Sequence, residues 1–140
     1  MAKFGAKSLE RLATCHPDIQ VVMNEAIKHF DFTILYGTRS TEEQFFLFKK
    51  GRKYVDGKWI VSNKSEVVTN MDGAIKQSKH NHSPSQAIDI APYPIDWTDI
   101  NRFKKLSEVV KQAMVTVGVQ LQWGGDWKQF TDYPHWEIKK

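Results

Sequence analysis

Ser78-Lys79-His80-Asn81-His82-Ser83-Pro84-Ser85-Gln86-Ala87-Ile88-Asp89-Ile90-Ala91-Pro92 organises this chain, and its partner lies near the other end, in Asp132-Tyr133-Pro134-His135-Trp136-Glu137. A turn carrying His80 runs into a short strand over residues 86–91, where Ala87, Asp89 and Ala91 share one face and Ile88 and Ile90 the other. Asp89 therefore faces away from the isoleucines. A second strand, His135-Trp136-Glu137-Ile138, opens directly after Pro134. Two imidazoles and a carboxylate form a three-ligand set that suits zinc and leaves a fourth tetrahedral position for water, the arrangement of a catalytic ion. Taken singly, a histidine is more often an ordinary polar residue than a ligand. At this level a metal site and a polar cluster both stay open.

Outward from this stretch, Ile19, Val22, Met23, Ala26, Ile27 and Phe30 step by three and four after Pro17 and Asp18, which predicts an amphipathic helix. Phe32-Thr33-Ile34-Leu35-Tyr36 reads as a buried strand ended by Gly37, and it delivers Arg39 to its exit. Ser40 and Glu43 have capping-box spacing for a helix through Gln44, Phe45, Phe46 and Phe48 that ends near Gly51. Residues 52–77 read as a polar surface excursion with a small hairpin around Asp56-Gly57 in Val55-Asp56-Gly57-Lys58-Trp59. From Asp99 to Val117 the residues Ile100, Phe103, Leu106, Val109, Val110, Ala113, Met114 and Val117 show the clearest helical period, with Gly118 as its cap. Val119-Gln120-Leu121-Gln122-Trp123 alternates as a strand that Gly124-Gly125 turns. The expected fold is α+β: a small mixed single domain, residues 1–140, with a short antiparallel sheet packed against helices.

With 41% apolar and 26% charged residues over 140 positions, the composition excludes a disordered chain, and no apolar run is long enough to cross a membrane. The net charge of +4 is mild, and along the sequence the lysines and arginines look scattered, which argues against a nucleic-acid partner. The lone Cys15 forms no intramolecular disulfide and no CxxC pair exists, so a reducing compartment is expected. Beside His16 it reads as a packed thiol rather than a nucleophile with its base. The first ten residues lack the apolar core of a signal peptide, so no export route is expected at the amino end.

A His-Glu-x-x-His helix is absent. The chain resembles instead the VanY-like zinc peptidases, which include D-alanyl-D-alanine carboxypeptidases and dipeptidases and the L-alanyl-D-glutamate endolysins of bacteriophages. Three motifs in order carry the resemblance: Tyr36-Gly37-Thr38-Arg39-Ser40-Thr41-Glu42-Glu43-Gln44; Ser78-Lys79-His80 with Ala87-Ile88-Asp89; and Trp123-Gly124-Gly125-Asp126-Trp127 with Asp132-Tyr133-Pro134-His135-Trp136-Glu137. It implies that His80, Asp89 and His135 bind one zinc ion, that Asp132 is the general base and that Arg39 is the cationic partner of the substrate carbonyl. Such peptidases often place seven residues' separation between the first ligand and the aspartate, which would select His82. The Ser-x-His signature selects His80, with Pro84-Ser85 read as a two-residue insertion. Glu137 ranks behind Asp132 as a base, or orients a ligand histidine. Gln44 and Trp136 are the expected substrate-binding residues, although Trp123, Trp127, Tyr133 and Trp136 suit a small core equally well.

The resemblance further implies a monomeric phage endolysin that cleaves a peptidoglycan stem peptide and binds neither nucleic acid nor the membrane interior. It would stay in the host cytoplasm until a separate membrane-permeabilising protein lets it reach the wall. The competing expectations are a D-alanyl-D-alanine carboxypeptidase and a zinc-bearing wall-binding module without catalysis.

Overall fold

Beyond Gly5, the first helix of the computed structural model, α1 (Ala6–Ala13), has no counterpart in the sequence reading. The structure describes residues 2–39, 41–67, 79–82, 84–128 and 131–139. After α1 come α2 (Pro17–Ala26), β1 (Phe32–Tyr36), α3 (Thr41–Lys49), β2 (Arg52–Val55) and β3 (Lys58–Val61). They are followed by β4 (Ala87–Pro92), α4 (Ile100–Val117), β5 (Leu121–Trp123) and β6 (His135–Ile138). Short 3-10 turns at Lys64–Glu66, Lys79–Asn81 and Gly124–Asp126 link them. The expected α+β class holds.

Local chemistry explains the boundaries. Pro17 stands at the start of α2, where its missing N–H costs nothing, and His16 caps the helix by accepting from Asp18 N through Nδ1 at 3.1 Å. Asp99 caps α4 through Oδ1 on Arg102 N, and Gly118 closes it with φ 75°, its N–H donated to Met114 O. The Asp56-Gly57 turn has positive φ at both residues, 48° and 79°, which matches the twist of the β2–β3 hairpin it joins. Three elements differ in their bounds from the sequence expectation: α2 stops at Ala26, short of Phe30, β4 covers Ala87–Pro92 rather than 86–91, and β5 begins at Leu121 rather than Val119. Ser40 and Ser78 lie outside the described residues.

The main sheet has the order β1-β4-β6-β5 and every pairing in it is antiparallel. Ile34 stands opposite Ile90, Ile88 opposite Trp136, and Trp123 opposite Trp136, so these side chains share one face. That face joins the core with Ile19, Val22, Met23 and Ala26 of α2 and Leu106, Val110 and Ala113 of α4. Truncating a fully buried residue such as Ile90 to alanine would cost about 2–5 kcal/mol. Asp89 pairs with His135 on the opposite face.

Edge strand β1 is shielded by α1 rather than by another strand. Ile34 N donates to Ser8 Oγ at 3.1 Å and Arg11 Nη1 donates to Ile34 O at 2.9 Å, which occupies the free edge. Side-chain hydrogen bonds, more than an apolar stripe, dock this helix: its buried residues are Ser8 and Leu12. Gly37 lets the exit of β1 pass close to α1, since a Cβ there would collide with Thr14 Oγ1 and Arg11 O.

Candidate metal centre

The turn Lys79–Asn81 is fastened to the segment after β1. Arg39 N donates to His80 O at 2.7 Å, Asn81 Nδ2 donates to Arg39 O at 2.8 Å, and His80 Nδ1 lies 2.8 Å from Gly37 O. Gln86 N bonds back to Lys79 O at 3.0 Å, so the turn is also tied to the approach to β4. His80 thereby meets Asp89 on β4, and the sheet register sets His135 of β6 directly opposite Asp89. Ligand atoms of His80, Asp89 and His135 lie within 4.8 Å of one another. His82 is exposed, and the cluster uses His80.

The hydrogen bonds decide which nitrogens face inward. Gly37 O is a carbonyl and can only accept, so His80 Nδ1 carries the proton and Nε2 is directed at Asp89 Oδ1, 3.3 Å away. His135 Nε2 lies 2.8 Å from Glu137 Oε1, a carboxylate that also accepts, which leaves Nδ1 facing the same Asp89 Oδ1 at 3.2 Å. Two neutral imidazole lone pairs aimed at one carboxylate oxygen repel it unless a proton or cation lies among them. An ion with ligand bonds of about 2.0–2.1 Å in tetrahedral geometry has ligand-to-ligand edges of about 3.3 Å. The two observed edges match that spacing. The donor set therefore fits a divalent cation such as zinc.

The partners beyond the three candidate ligands are fixed in turn. Glu137 Oε2 is paired with Lys79 Nζ at 2.6 Å, and that ammonium also donates to Ile138 O. Burial raises the Glu137 carboxyl, but its bonds to His135 and Lys79 outweigh this and hold it below the usual range. A carboxylate held so firmly orients His135 and is poorly suited to act as a base. Arg39 is buried, with Nη1 donated to Gln44 Oε1 at 2.9 Å and Nη2 3.5 Å from Asp89 Oδ2. It steadies the Asp89 oxygen that the histidines leave over.

Without an ion, desolvation pushes Asp89 up, but hydrogen bonds from His135 and His80 and their charges hold it far below the ordinary carboxylate range. Burial lowers His135, yet its bonds to Asp89 and Glu137 prevail and bring it up to about 9. Asp132 moves the other way. Burial and the nearby Asp89 charge raise its carboxyl, partly offset by His135, His80 and Arg39, and a raised carboxyl is suited to proton exchange. Its backbone is anchored by Asp132 N on Gly124 O at 2.9 Å, and His135 N donates to Asp132 O at 3.2 Å. A Cβ at Gly124 would strike Asp132 O, so glycine is needed where the chain passes that close.

The two expected substrate-binding residues, Trp136 and Gln44, both lie in the interior. Trp136 is 1% exposed and stacks on Trp123 with ring centres 5.7 Å apart, so it is a core residue with no surface for a substrate. Adjacent strand residues face opposite ways, which puts Trp136 behind the sheet when His135 is in front. Gln44 is fully buried and accepts from Arg39. Trp127, half-buried with its ring 5.1 Å from that of His135, is the aromatic beside the site. Nothing in the sequence separated it from its three aromatic neighbours.

Comparison with known proteins agrees with this geometry. The model of the phage L-alanyl-D-glutamate peptidase family matches residues 1–140. The chain is 33% identical over 144 residues to the L-alanyl-D-glutamate peptidase of Escherichia phage T5, covering 99% of this chain and 90% of that one. It is 37% identical over 122 residues to the peptidoglycan L-alanyl-D-glutamate endopeptidase CwlK of Bacillus subtilis, covering 81% of this chain and 64% of CwlK. The crystal structure of Serratia marcescens L-Ala D-Glu endopeptidase ChiX shares the fold, with a TM-score of 0.72 at 22% identity over 98% of this chain and 90% of that one. The match along the whole chain and the identity to the phage T5 protein make this chain a member of the phage L-alanyl-D-glutamate peptidase family.

Proposed function

We propose that this chain is a zinc peptidase that hydrolyses the L-alanyl-D-glutamate bond of peptidoglycan stem peptides. The observation that carries the reading is the convergence of His80 Nε2 and His135 Nδ1 on Asp89 Oδ1, with both outer nitrogens committed as donors to Gly37 O and Glu137. Two nitrogens and one carboxylate oxygen are a ligand set typical of catalytic zinc. A bound zinc ion would polarise the scissile carbonyl and acidify a water toward a pKa of about 7.

The rest of the chemistry belongs to the chain. Asp132, its carboxyl raised by burial, takes the proton of the attacking water and returns it to the leaving amine. Arg39 keeps Asp89 in place and sets a buried positive charge beside the site, which favours the negative oxygen that develops on the carbonyl. Lys79 and Glu137 hold His135 in the orientation that ligation needs. Trp127 offers the substrate an apolar wall next to His135.

Among the described residues no helix is long and apolar enough to cross a membrane. In a phage infection the enzyme would act as a monomer that waits in the host cytoplasm for a separate permeabilising protein. Digestion of purified peptidoglycan, with the new ends identified by mass spectrometry, tests the reading. New L-alanine carboxyl ends and D-glutamate amino ends are expected, abolished by a chelator and restored by zinc. Release of D-alanine alone would make the protein a carboxypeptidase, binding without new ends would make it a wall-binding module, and full cleavage by a metal-free sample would remove zinc from the mechanism.

A further inference from the structure

The excursion between Arg39 and His80 leaves a surface that the peptidase chemistry does not use. Residues 49–64 hold six lysines and arginines against one aspartate, a net charge of +5, while the whole chain carries +4. The rest of the molecule is therefore slightly negative. The charge is already concentrated along the sequence, and Lys49, Lys50, Arg52 and Lys53 line one cleft of about 440 Å³ at the foot of the hairpin, beside Glu66. Among the described residues Lys49, Lys50, Lys53 and Lys58 make no ion pair.

The hairpin has two different faces. Arg52, Tyr54, Trp59 and Val61 share one, and it turns toward α3, where Trp59 meets Phe45 edge-on at 5.7 Å and the Arg52 guanidinium lies 4.0 Å from the centre of Phe48. Lys53, Val55, Lys58 and Ile60 share the other, and all four are exposed. Ile60 at 47% and Val55 at 43% are exposed beside Lys53 and Lys58, and Val61, on the other face at the hairpin's end, is 52% exposed. A partner that offered negative charge alone would leave those aliphatic groups in water. The hairpin's open ring, Tyr54 at 63%, lies on the other face beside Trp59, so a nucleic acid stacked on it would not cover Val55 and Ile60.

We infer that this basic, aliphatic hairpin face docks the protein on an anionic phospholipid surface. Its ammonium groups lie at the level of the lipid phosphates, and Val55 and Ile60 enter the boundary between headgroups and acyl chains. The contact is peripheral. It leaves the ligands of the metal centre, on the main sheet and the turn at His80, outside the binding face.

Co-sedimentation of the full chain with phosphatidylglycerol vesicles and with phosphatidylcholine vesicles tests this. Binding should require the anionic lipid and fall as salt is raised. The double variant Lys53→Gln/Lys58→Gln should lower partitioning about 30-fold, the product of two lost lysine contacts. Ile60→Ser, which leaves the charge unchanged, should lower it about tenfold. Both variants should keep wild-type cleavage of a soluble stem peptide, which shows that fold and metal centre are intact. The inference is overturned if the wild type does not bind phosphatidylglycerol vesicles, or if either variant binds them as the wild type does. It is also overturned if Ile60→Ser retains binding while inorganic polyphosphate competes fully, since the face would then be a simple polyanion surface.

Discussion

The candidate metal centre and the hairpin are built from the same kinds of charged residue, yet they use them in opposite ways. At the centre His80, His135, Asp89, Arg39, Glu137 and Lys79 are each bound to a neighbour of opposite character, and sheet register sets Asp89 against His135. In the hairpin Lys53 and Lys58 make no ion pair among the described residues, and the strands rest on a few ring contacts with α3. Buried charge must be paired, because desolvation of a lone ion costs several kcal/mol; exposed charge can remain open for an external partner. Changes at the centre should therefore alter chemistry sharply, and changes in the hairpin should alter it hardly at all.

The largest effect is expected at Asp132. Asp132→Asn keeps the shape but removes the base, so turnover should fall about 10²–10⁴-fold while zinc content, read by elemental analysis, stays near one per chain. Loss of zinc would mean that Asp132 is itself a ligand, and near-normal turnover would place the base elsewhere. Next, Glu137→Gln should weaken zinc binding about 10–100-fold, because His135 loses the carboxylate that orients it. An unchanged affinity in a competition titration would show that the pairing with Lys79 and His135 is incidental.

A third effect is thermodynamic. In the metal-free protein His135 is raised from its ordinary value to about 9, so the stability it contributes is fully present below about pH 6.5 and is lost as pH rises through about 9. That loss is on the order of 3 kcal/mol. Asp89 and Glu137 are lowered, and their contribution is present above the ordinary carboxylate range and lost as pH falls through their folded values. Melting temperature in chelator should thus be highest between about pH 5 and pH 6.5 and decline toward pH 9. Saturating zinc, which replaces the His135 proton, should abolish the alkaline decline; a decline of equal size with zinc present would contradict the ligand assignment. The smallest effect belongs to the hairpin: Lys58→Ala should shift unfolding free energy by no more than about 0.5 kcal/mol.

The sequence alone determined the periodic elements and the ligand types. The three-and-four spacing of α4, the parity that separates Asp89 from Ile88 and Ile90, and the Asp56-Gly57 turn are local properties, so they survive without knowledge of the rest of the chain. Only the tertiary structure decided how those pieces meet. It put Trp136 in the core and Trp127 beside His135, and gave Gln44 to Arg39. It also added α1, whose docking by Ser8 and Arg11 leaves no apolar stripe to read. Which imidazole nitrogen faces inward was set by Gly37 O and by Glu137, the first of them 43 residues from His80 in the chain. Hydrogen-bond partners at such separations follow from sheet register and turn docking, and neither is written in local spacing.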